Sequence, residues 1–203
     1  YKRQYLIYAS SPEVYGTALR IPMDVDHPLY PRSIYAVTKL AAEKHCQVLR
    51  YWYAYPVAIL RNFNTYGENQ SAYGYAAVVA NFILWALKGE PLIVHSPGTQ
   101  TRDFIYVKDA VDVYAKLMGR REKCVGEVLN IGTGKETTIL DLAKLIIELT
   151  SSSSEIVFEK GRTADVSALC ADISRTRQML DWEPKHSLQE GLMRTIRWYR
   201  RFV

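Results

Sequence analysis

Long apolar runs, paired cysteines and clustered histidines are all scarce in this sequence, and each scarcity excludes a class of function. The longest apolar stretch, Tyr75 to Leu87, is interrupted by Asn81 and falls short of the roughly 20 residues that span a bilayer. No membrane partner is expected, and the opening residues do not read as a secretory leader. Cys46, Cys124 and Cys170 are odd in number, far apart and outside any metal-ligand spacing, so they read as reduced thiols of a cytoplasmic protein. The four histidines are equally scattered, and no metal is expected. A net charge of +5 is modest enough to be a solvated basic surface, so no nucleic-acid partner is expected. Low complexity is confined to the serine run 151 to 154, which reads as a surface loop.

What is present is an ordinary globular composition. The chain has 203 residues, 48% of them hydrophobic, which is enough to bury a real core in one or two domains. The sequence opens at Tyr1 without an initiator methionine, and "QYLIYAS" is already a buried-strand pattern. A parallel strand needs neighbours joined by crossovers of a dozen or more residues, so a preceding N-terminal part is expected.

Residues Ser33 to about Tyr53 contain helix formers without internal glycine or proline and read as a long helix. "PVAILRNFN" is an apolar strand ending in polar residues, so strand, helix and strand form a parallel β-α-β unit. Gly74 to Lys88 reads as a helix closed by Gly89, "PLIVH" as a strand, and "RDFIYVKDAVDVYAKLMG" passes from extended to helical around Asp109. "GEVLNIG" and "EIVFE" read as strands, and Ser174 to Leu180 as a helix. Thr138 with Asp141 and Ser187 with Glu190 have capping-box spacing at the starts of two further helices.

Chemistry gathers at the strand-to-loop junction "YASSPEVYG", where a scaffold holds polar groups while a loop leaves them reachable. In the following helix, Tyr35 and Lys39 are four residues apart, so one turn stacks the ammonium beside the phenol. A cation beside a phenol favours the phenolate, which is a general base for an alcohol. The hydroxyls of Ser10 and Ser11 lie where that helix can face them and can hold the same substrate oxygen.

These residues resemble the extended short-chain dehydrogenase/reductases that act on nucleotide sugars, the NAD-dependent epimerase/dehydratase group. "SSPEVYG" looks like the family's serine or threonine motif and "YAVTK" like its Tyr-x-x-x-Lys. "LRNFNTYG", "TRDFIYVKD", "NIGTG", "GRTAD" and "ADISRTRQMLDWEP" follow in the family's order. The resemblance implies Tyr35 as the base, with Lys39 as its electrostatic partner and a ligand of the nicotinamide ribose. It implies Ser11 as the hydroxyl orienting the sugar oxygen, and Ser10 and Asn62 at the cofactor. Asn64, Arg102 and Arg162 would meet the substrate diphosphate or nucleotide, with Asp165 near the nucleoside; guanidinium forks suit phosphate oxygens. A homodimer through the Tyr-x-x-x-Lys helix is also implied, and "LRYWYAY" at its end offers apolar area.

The family's Gly-x-x-Gly-x-x-Gly turn, which sets the cofactor pyrophosphate against a helix N-terminus, is not found in this sequence, and "GTGK" at 132 to 135 lacks the spacing to replace it. This chain alone is therefore expected to bind NAD poorly. The implied fold is α/β: a Rossmann-type parallel sheet without its N-terminal part, from residues 1–65 and about 107–132, with a smaller C-terminal substrate-binding α/β domain from 66–106 and 133–203.

Glu13 separates the family's reactions. Oxidation at sugar C4 makes the C5 proton acidic; a 4-epimerase returns the hydride without needing a carboxylate. A 4,6-dehydratase needs a C5 base, the glutamate of Ser/Thr-x-Glu in such members, and decarboxylating relatives carry a glutamate here too. In this sequence Pro12 replaces the acid that one dehydratase subgroup has between those positions, and proline cannot donate a proton. The wording of "EVYGTALRIPMD" and "NTYGENQSA" looks most like dehydratases acting on UDP-N-acetylhexosamines. The leading expectation is a 4,6-dehydratase with Glu13 as base, ahead of a UDP-glucose 4-epimerase-like enzyme and a UDP-glucuronate decarboxylase-like enzyme. A catalytically silent sugar-nucleotide-binding module is the alternative from another class.

Overall fold

A computed structural model describes residues 4–72, 78–161 and 166–203. Strand β1 (Leu6–Ser10) is followed by a single 3-10 turn (Pro12–Tyr15), a loop, and the long helix α1 (Ile34–Tyr53). The helix starts where Ser33 accepts the Ala36 N–H on its hydroxyl and ends where Ala54 turns left-handed. Strand β2 (Val57–Asn62) then pairs with β1 in parallel, Leu6 opposite Val57 through Ser10 opposite Arg61. The β-α-β unit expected from the sequence is present.

After β2 come β3 (Asn64–Tyr66), α2 (Val78–Lys88), β4 (Leu92–His95), β5 (Thr101–Arg102), β6 (Phe104–Tyr106), α3 (Val107–Gly119), the short α4 (Arg121–Cys124) and β7 (Val128–Ile131). The chain closes with β8 (Thr137–Thr138), α5 (Ile139–Thr150), β9 (Ile156–Glu159), β10 (Ala168–Leu169), α6 (Ser174–Leu180) and α7 (Leu188–Tyr199). Strands β1, β2 and β7 form one all-parallel sheet with β2 in the middle. The central strand accordingly reads as a continuous apolar run broken by one arginine.

Alternation along the strands divides the packing. Val57 and Ile59 of β2 meet Cys46 of α1 on one face, while Ala58 and Leu60 point into a larger core with Val113 and Leu117 of α3. A second core joins α2, α5 and α7 around Leu92 and Val94 of β4. The parallel pair β3 and β6 is the joint: Phe63 and Ile105 belong to the first core, and Tyr66, Phe104 and Tyr106 to the second. Segment 166–182, through Val166, Leu169, Ile173, Leu180 and Trp182, returns to the first core, so the two cores interleave along the chain. Helix α7 comes so close to the joint that a Cβ at Gly191 would overlap the Tyr66 hydroxyl.

Three local expectations shift. The helix at 107 begins at Val107 rather than Asp109, because Asp109 is buried in its first turn and holds His186, accepting its backbone N–H at 3.0 Å and pairing with Nδ1 at 2.9 Å. The serine run is more than a surface loop: Ser152 donates to the Ala86 carbonyl of α2 at 2.7 Å, and Ser154 is buried. Ser187 and Glu190 form the full reciprocal capping box, whereas Asp141, one methylene shorter, accepts the Thr138 hydroxyl proton at 2.7 Å.

Behind the sheet's carboxyl edge lies a buried ion pair. Arg61 of β2 donates to Glu43 of α1 twice, Nε to Oε1 at 3.0 Å and Nη2 to Oε2 at 2.7 Å, with side-chain exposures of 2% and 0%. Ser10 Oγ donates to the same Oε1 at 2.5 Å, and Arg61 Nη1 donates to the Val25 carbonyl at 3.0 Å. Burial works against the Arg61 cation more than any single neighbour supports it, but the hydrogen bonds and charges of Glu43 and Tyr15 together outweigh it and push the guanidinium pKa up. Removing one partner strands the other charge, so Glu43→Gln or Arg61→Met should each destabilise the protein by about 3–5 kcal/mol. The double variant Glu43→Leu/Arg61→Met should recover most of that loss. Urea unfolding of the three variants checks the expectation, and additive losses in the double variant would contradict it.

Candidate active site

Parallel strands bring β1 and β2 to the same edge of the sheet, and their ends open on a cavity of about 960 Å³. Ser10, Ser11, Glu13, Ser33, Tyr35, Lys39 and Asn62 line one side of it. Lys39 Nζ lies 5.7 Å from the Tyr35 ring centroid and 5.4 Å from that of Tyr8, and it donates to the Ala9 carbonyl at 2.9 Å. The ammonium is thus anchored to the end of β1 while it faces the Tyr35 ring, which stays 47% exposed.

Each neighbouring group has a fixed role. Ser11 caps the 3-10 turn by accepting the Glu13 N–H at 3.3 Å, which leaves its hydroxyl proton to be donated elsewhere. Ser10 does not present its hydroxyl to the cavity in the same way, since that proton goes to Glu43. Asn62 Nδ2 donates to the Tyr114 hydroxyl at 2.9 Å, which holds the amide at the strand end. Glu13 Oε2 accepts the Ser33 hydroxyl at 2.9 Å, tying the carboxylate to the start of α1.

The far wall is built by the second core. Phe82 and Trp85 of α2, Ile93 and His95 of β4, Glu159 of β9, and Asn64, Gln70, Gln100 and Arg102 complete the lining. Among the described residues, four buried side-chain atoms without a hydrogen-bond partner belong to this lining: Asn64 Nδ2, Gln70 Oε1, His95 Nδ1 and Gln100 Oε1. Buried polar groups in a folded protein are normally paired, so these four are open to water or to a polar ligand in the cavity.

Arg102 is aimed from β5 by its neighbour. Asp103 is fully buried and accepts Thr133 N at 2.7 Å, Thr133 Oγ1 at 2.6 Å, Gly134 N at 2.9 Å and Ala171 N at 3.1 Å. Burial pushes the Asp103 carboxyl upward, and these four donors oppose the shift. The "GTGK" loop therefore turns its amides onto the protein's own carboxylate. Gly132 is required at this contact, because a Cβ there would sit 2.5 Å from Asp103 Oδ2. Arg102 does not form the surface ion pair with Asp103 that adjacent charges suggest.

The GDP-mannose 4,6-dehydratase family model matches residues 1–195. The chain belongs to this family of extended short-chain dehydrogenase/reductases. A UDP-N-acetyl-alpha-D-glucosaminuronate decarboxylase of Bacillus cytotoxicus is 37% identical over 98% of this chain and 64% of its own length. An epimerase of Methanothermobacter thermautotrophicus has a structure that superposes with a TM-score of 0.92 at 34% identity, covering 96% of this chain and 59% of that one. A UDP-glucuronic acid 4-epimerase of Bacillus cereus, solved with UDP-glucuronic acid and NAD, superposes with a TM-score of 0.91 at 30% identity over 97% of this chain and 62% of its own. The chain thus spans about three-fifths of the length of these relatives. The family uses one α/β frame for epimerases, dehydratases and decarboxylases of nucleotide sugars.

Of the residues singled out in the sequence, the structure brings Ser10, Ser11, Glu13, Tyr35, Lys39, Asn62, Asn64 and Arg102 to this single cavity. Arg162 and Asp165 lie outside the described residues. Sequence reasoning missed Ser33, Glu43, Tyr8 and Tyr114. Glu43 could have been found, since it continues the Tyr35 and Lys39 face at the same four-residue spacing and the apolar run of β2 holds one unexplained arginine. No sequence signal pointed to Tyr114, whose partner Asn62 is 52 residues away.

Asp103→Asn tests the loop lock. The amide nitrogen would face N–H donors in place of an acceptor, so unfolding free energy should fall by about 1–3 kcal/mol. Backbone amide exchange at Gly134 or Ala171 should speed up in the variant. Unchanged stability and exchange would mean that the carboxylate does not hold the loop.

Proposed function

We propose that the complete protein is a cytoplasmic, NAD-dependent nucleotide-sugar 4,6-dehydratase whose sugar is oxidised at C4 and deprotonated at C5 in this cavity. The observation that carries the reading is the joint presence of Glu13 and the Tyr35–Lys39 pair on one cavity wall, with Ser11 two residues before Glu13 on the same wall and, among the described residues, an unpaired polar wall opposite. A carboxylate has no task in a simple 4-epimerase, where one proton acceptor at the C4 hydroxyl suffices.

Tyr35 takes the C4 hydroxyl proton, helped by the Lys39 ammonium beside its ring, and Ser11 donates to the same sugar oxygen. NAD, when bound, supplies the acceptor for the C4 hydride. Lys39 and Asn62 are the residues that would hold its nicotinamide end; Lys39 fits because its ammonium already bonds a backbone oxygen at the strand end. Glu13 then takes the C5 proton. Arg102 and Asn64 meet the diphosphate and nucleotide, together with Arg162 and Asp165. Asn64 suits the task because its Nδ2 is a buried donor without a partner. A UDP-N-acetylhexosamine is the favoured substrate. The protein dimerises through α1, whose end exposes Tyr51, Trp52 and Tyr53.

A 4-epimerase is the second reading. It is favoured by Pro12, which cannot supply the proton that a leaving C6 hydroxyl needs, and by the likeness to the UDP-glucuronic acid 4-epimerase of Bacillus cereus.

Two substitutions in the complete protein separate these readings. Tyr35→Phe keeps the ring and removes the proton acceptor, so turnover should fall by about 10² to 10⁴ with nucleotide-sugar affinity nearly intact; a near-normal rate would remove Tyr35 from the mechanism. Glu13→Gln keeps size and hydrogen bonding but loses basicity. C4 oxidation should continue, reduced cofactor should accumulate by absorbance, and deuterium incorporation at C5 should drop. Normal turnover in Glu13→Gln, without C5 exchange in either form, would promote the epimerase.

A further inference from the structure

We propose that Ser33 is a positioning residue for Glu13, holding the carboxylate as a proton acceptor at a fixed place relative to Tyr35. This inference rests on the reading of Glu13 as the C5 base and adds to it the group that orients that base.

Ser33 Oγ makes two hydrogen bonds of opposite sense. It accepts the Ala36 N–H at 3.1 Å, as a helix N-cap does, and donates to Glu13 Oε2 at 2.9 Å. A serine hydroxyl has a single proton, and the cap consumes only acceptor capacity, so that proton is directed at the carboxylate. A hydroxyl wired this way keeps Oε2 an acceptor and leaves Oε1 to receive a proton.

Glu13 has little else to orient its side chain. Its backbone is well fixed, with the N–H on Ser11 Oγ, the carbonyl accepting Gly16 N at 3.1 Å, and Pro12 ahead of it in the 3-10 turn. Among the described residues, Ser33 provides the one side-chain hydrogen bond to the carboxylate. Ser33 also precedes Tyr35 by two residues on the same helix, and all three side chains line the cavity. The C5 base and the C4 base are therefore hung on one rigid element, a 20-residue helix.

The step that this geometry serves is balanced within the substrate and the side chain. With C4 a ketone, Glu13 Oε1 takes the C5 proton, and the C–H electron pair moves into the C4 carbonyl as an enolate. Returning a proton from the carboxyl to C5 restores the ketone, and exchange of that proton with water leaves solvent deuterium at C5.

A purely structural cap needs the acceptor and not the donor, which gives the test its leverage. Ser33→Asp remains a good N-cap but has no proton to donate and sets a second negative charge beside Glu13; Ser33→Gly caps the helix almost as well as serine and also lacks the donor; Ser33→Thr keeps both functions. The complete protein with its cofactor would be assayed on whichever of UDP-N-acetylglucosamine, UDP-glucose, dTDP-glucose and GDP-mannose it turns over fastest. Deuterium incorporation at C5 and the rate of C4 oxidation would be followed separately, with thermal melting as a check on the helix.

Expected is a loss of C5 exchange of about 10- to 100-fold in Ser33→Asp and Ser33→Gly, with C4 oxidation within about twofold of wild type and Ser33→Thr close to wild type. Wild-type exchange in Ser33→Asp would overturn the positioning role while leaving Glu13 as the base. Equal loss of both steps in all variants would reduce Ser33 to a cap and overturn it as well. Absence of C5 exchange in the wild type would overturn this inference together with the dehydratase reading beneath it.

Discussion

The ion pair between Glu43 and Arg61 is the constraint from which the site's geometry follows. Two full charges removed from water are costly, and their neighbours offset that cost: Ser10 on the carboxylate, the Val25 carbonyl on the guanidinium, and the Tyr15 ring 4.7 Å from the guanidinium carbon. Tyr15 passes the connection to Asn130 of β7 at 2.6 Å, and Asn130 donates to the carbonyl of Met23 at 2.8 Å. One charged centre thus ties α1, the ends of β1 and β2, the loop before α1 and the third strand. A hydrophobic pair could fill the same volume, but it would accept small rotations of α1 about its axis. A bidentate guanidinium fork does not, and Lys39 and Tyr35 stand on the same face of that helix about one and two turns earlier. The pair trades stability for orientation.

Recognition of anions follows a related logic. A loop reading "GTGK" invites a phosphate-binding interpretation, since successive amides in such turns form an anion nest. Here the nest is filled by the carboxylate of Asp103, so the loop is structural, and the segment carrying that aspartate is pinned in place. The adjacent Arg102 faces the cavity. In the proposed reaction the diphosphate is met by side chains and not by a glycine loop.

Much of this was legible in the sequence because it is local. Helix α1 declared itself through formers and a serine cap, β2 through an apolar run, and the Tyr35–Lys39 face through simple helical spacing. What escaped depends on contacts between distant segments. Nothing near Asp109 shows that it is buried against His186, so the helix start moved by two residues; nothing near the serine run shows that Ser152 caps a carbonyl of α2. The return of segment 166–182 to the first core is equally invisible, because its residues carry no period that names their partner. Ser33 was legible as a helix start but not as a partner of Glu13, since the loop between them sets their approach and no periodicity governs a loop.

One frame serving several reactions is a consequence of where the constraints fall. The helix face with Tyr35 and Lys39, the fixed end of β1 and the far wall of the cavity are set by buried packing and by the ion pair, so they resist change. The turn at residues 12 and 13 is held differently: its backbone is fixed by the Ser11 cap, by the buried Pro12 and by the Gly16 hydrogen bond, while the half-buried Glu13 side chain lines the cavity. Under the proposed reading, substitution there would alter which protons the site can move without disturbing the C4 step. Pro12 would narrow the choice, because proline has no proton to donate and leaves Glu13 as the acid–base group of the turn. In the proposed reaction a proton for a leaving C6 hydroxyl would then come from water or from Glu13, whose carboxyl has just taken the C5 proton and lies on the same wall as the sugar.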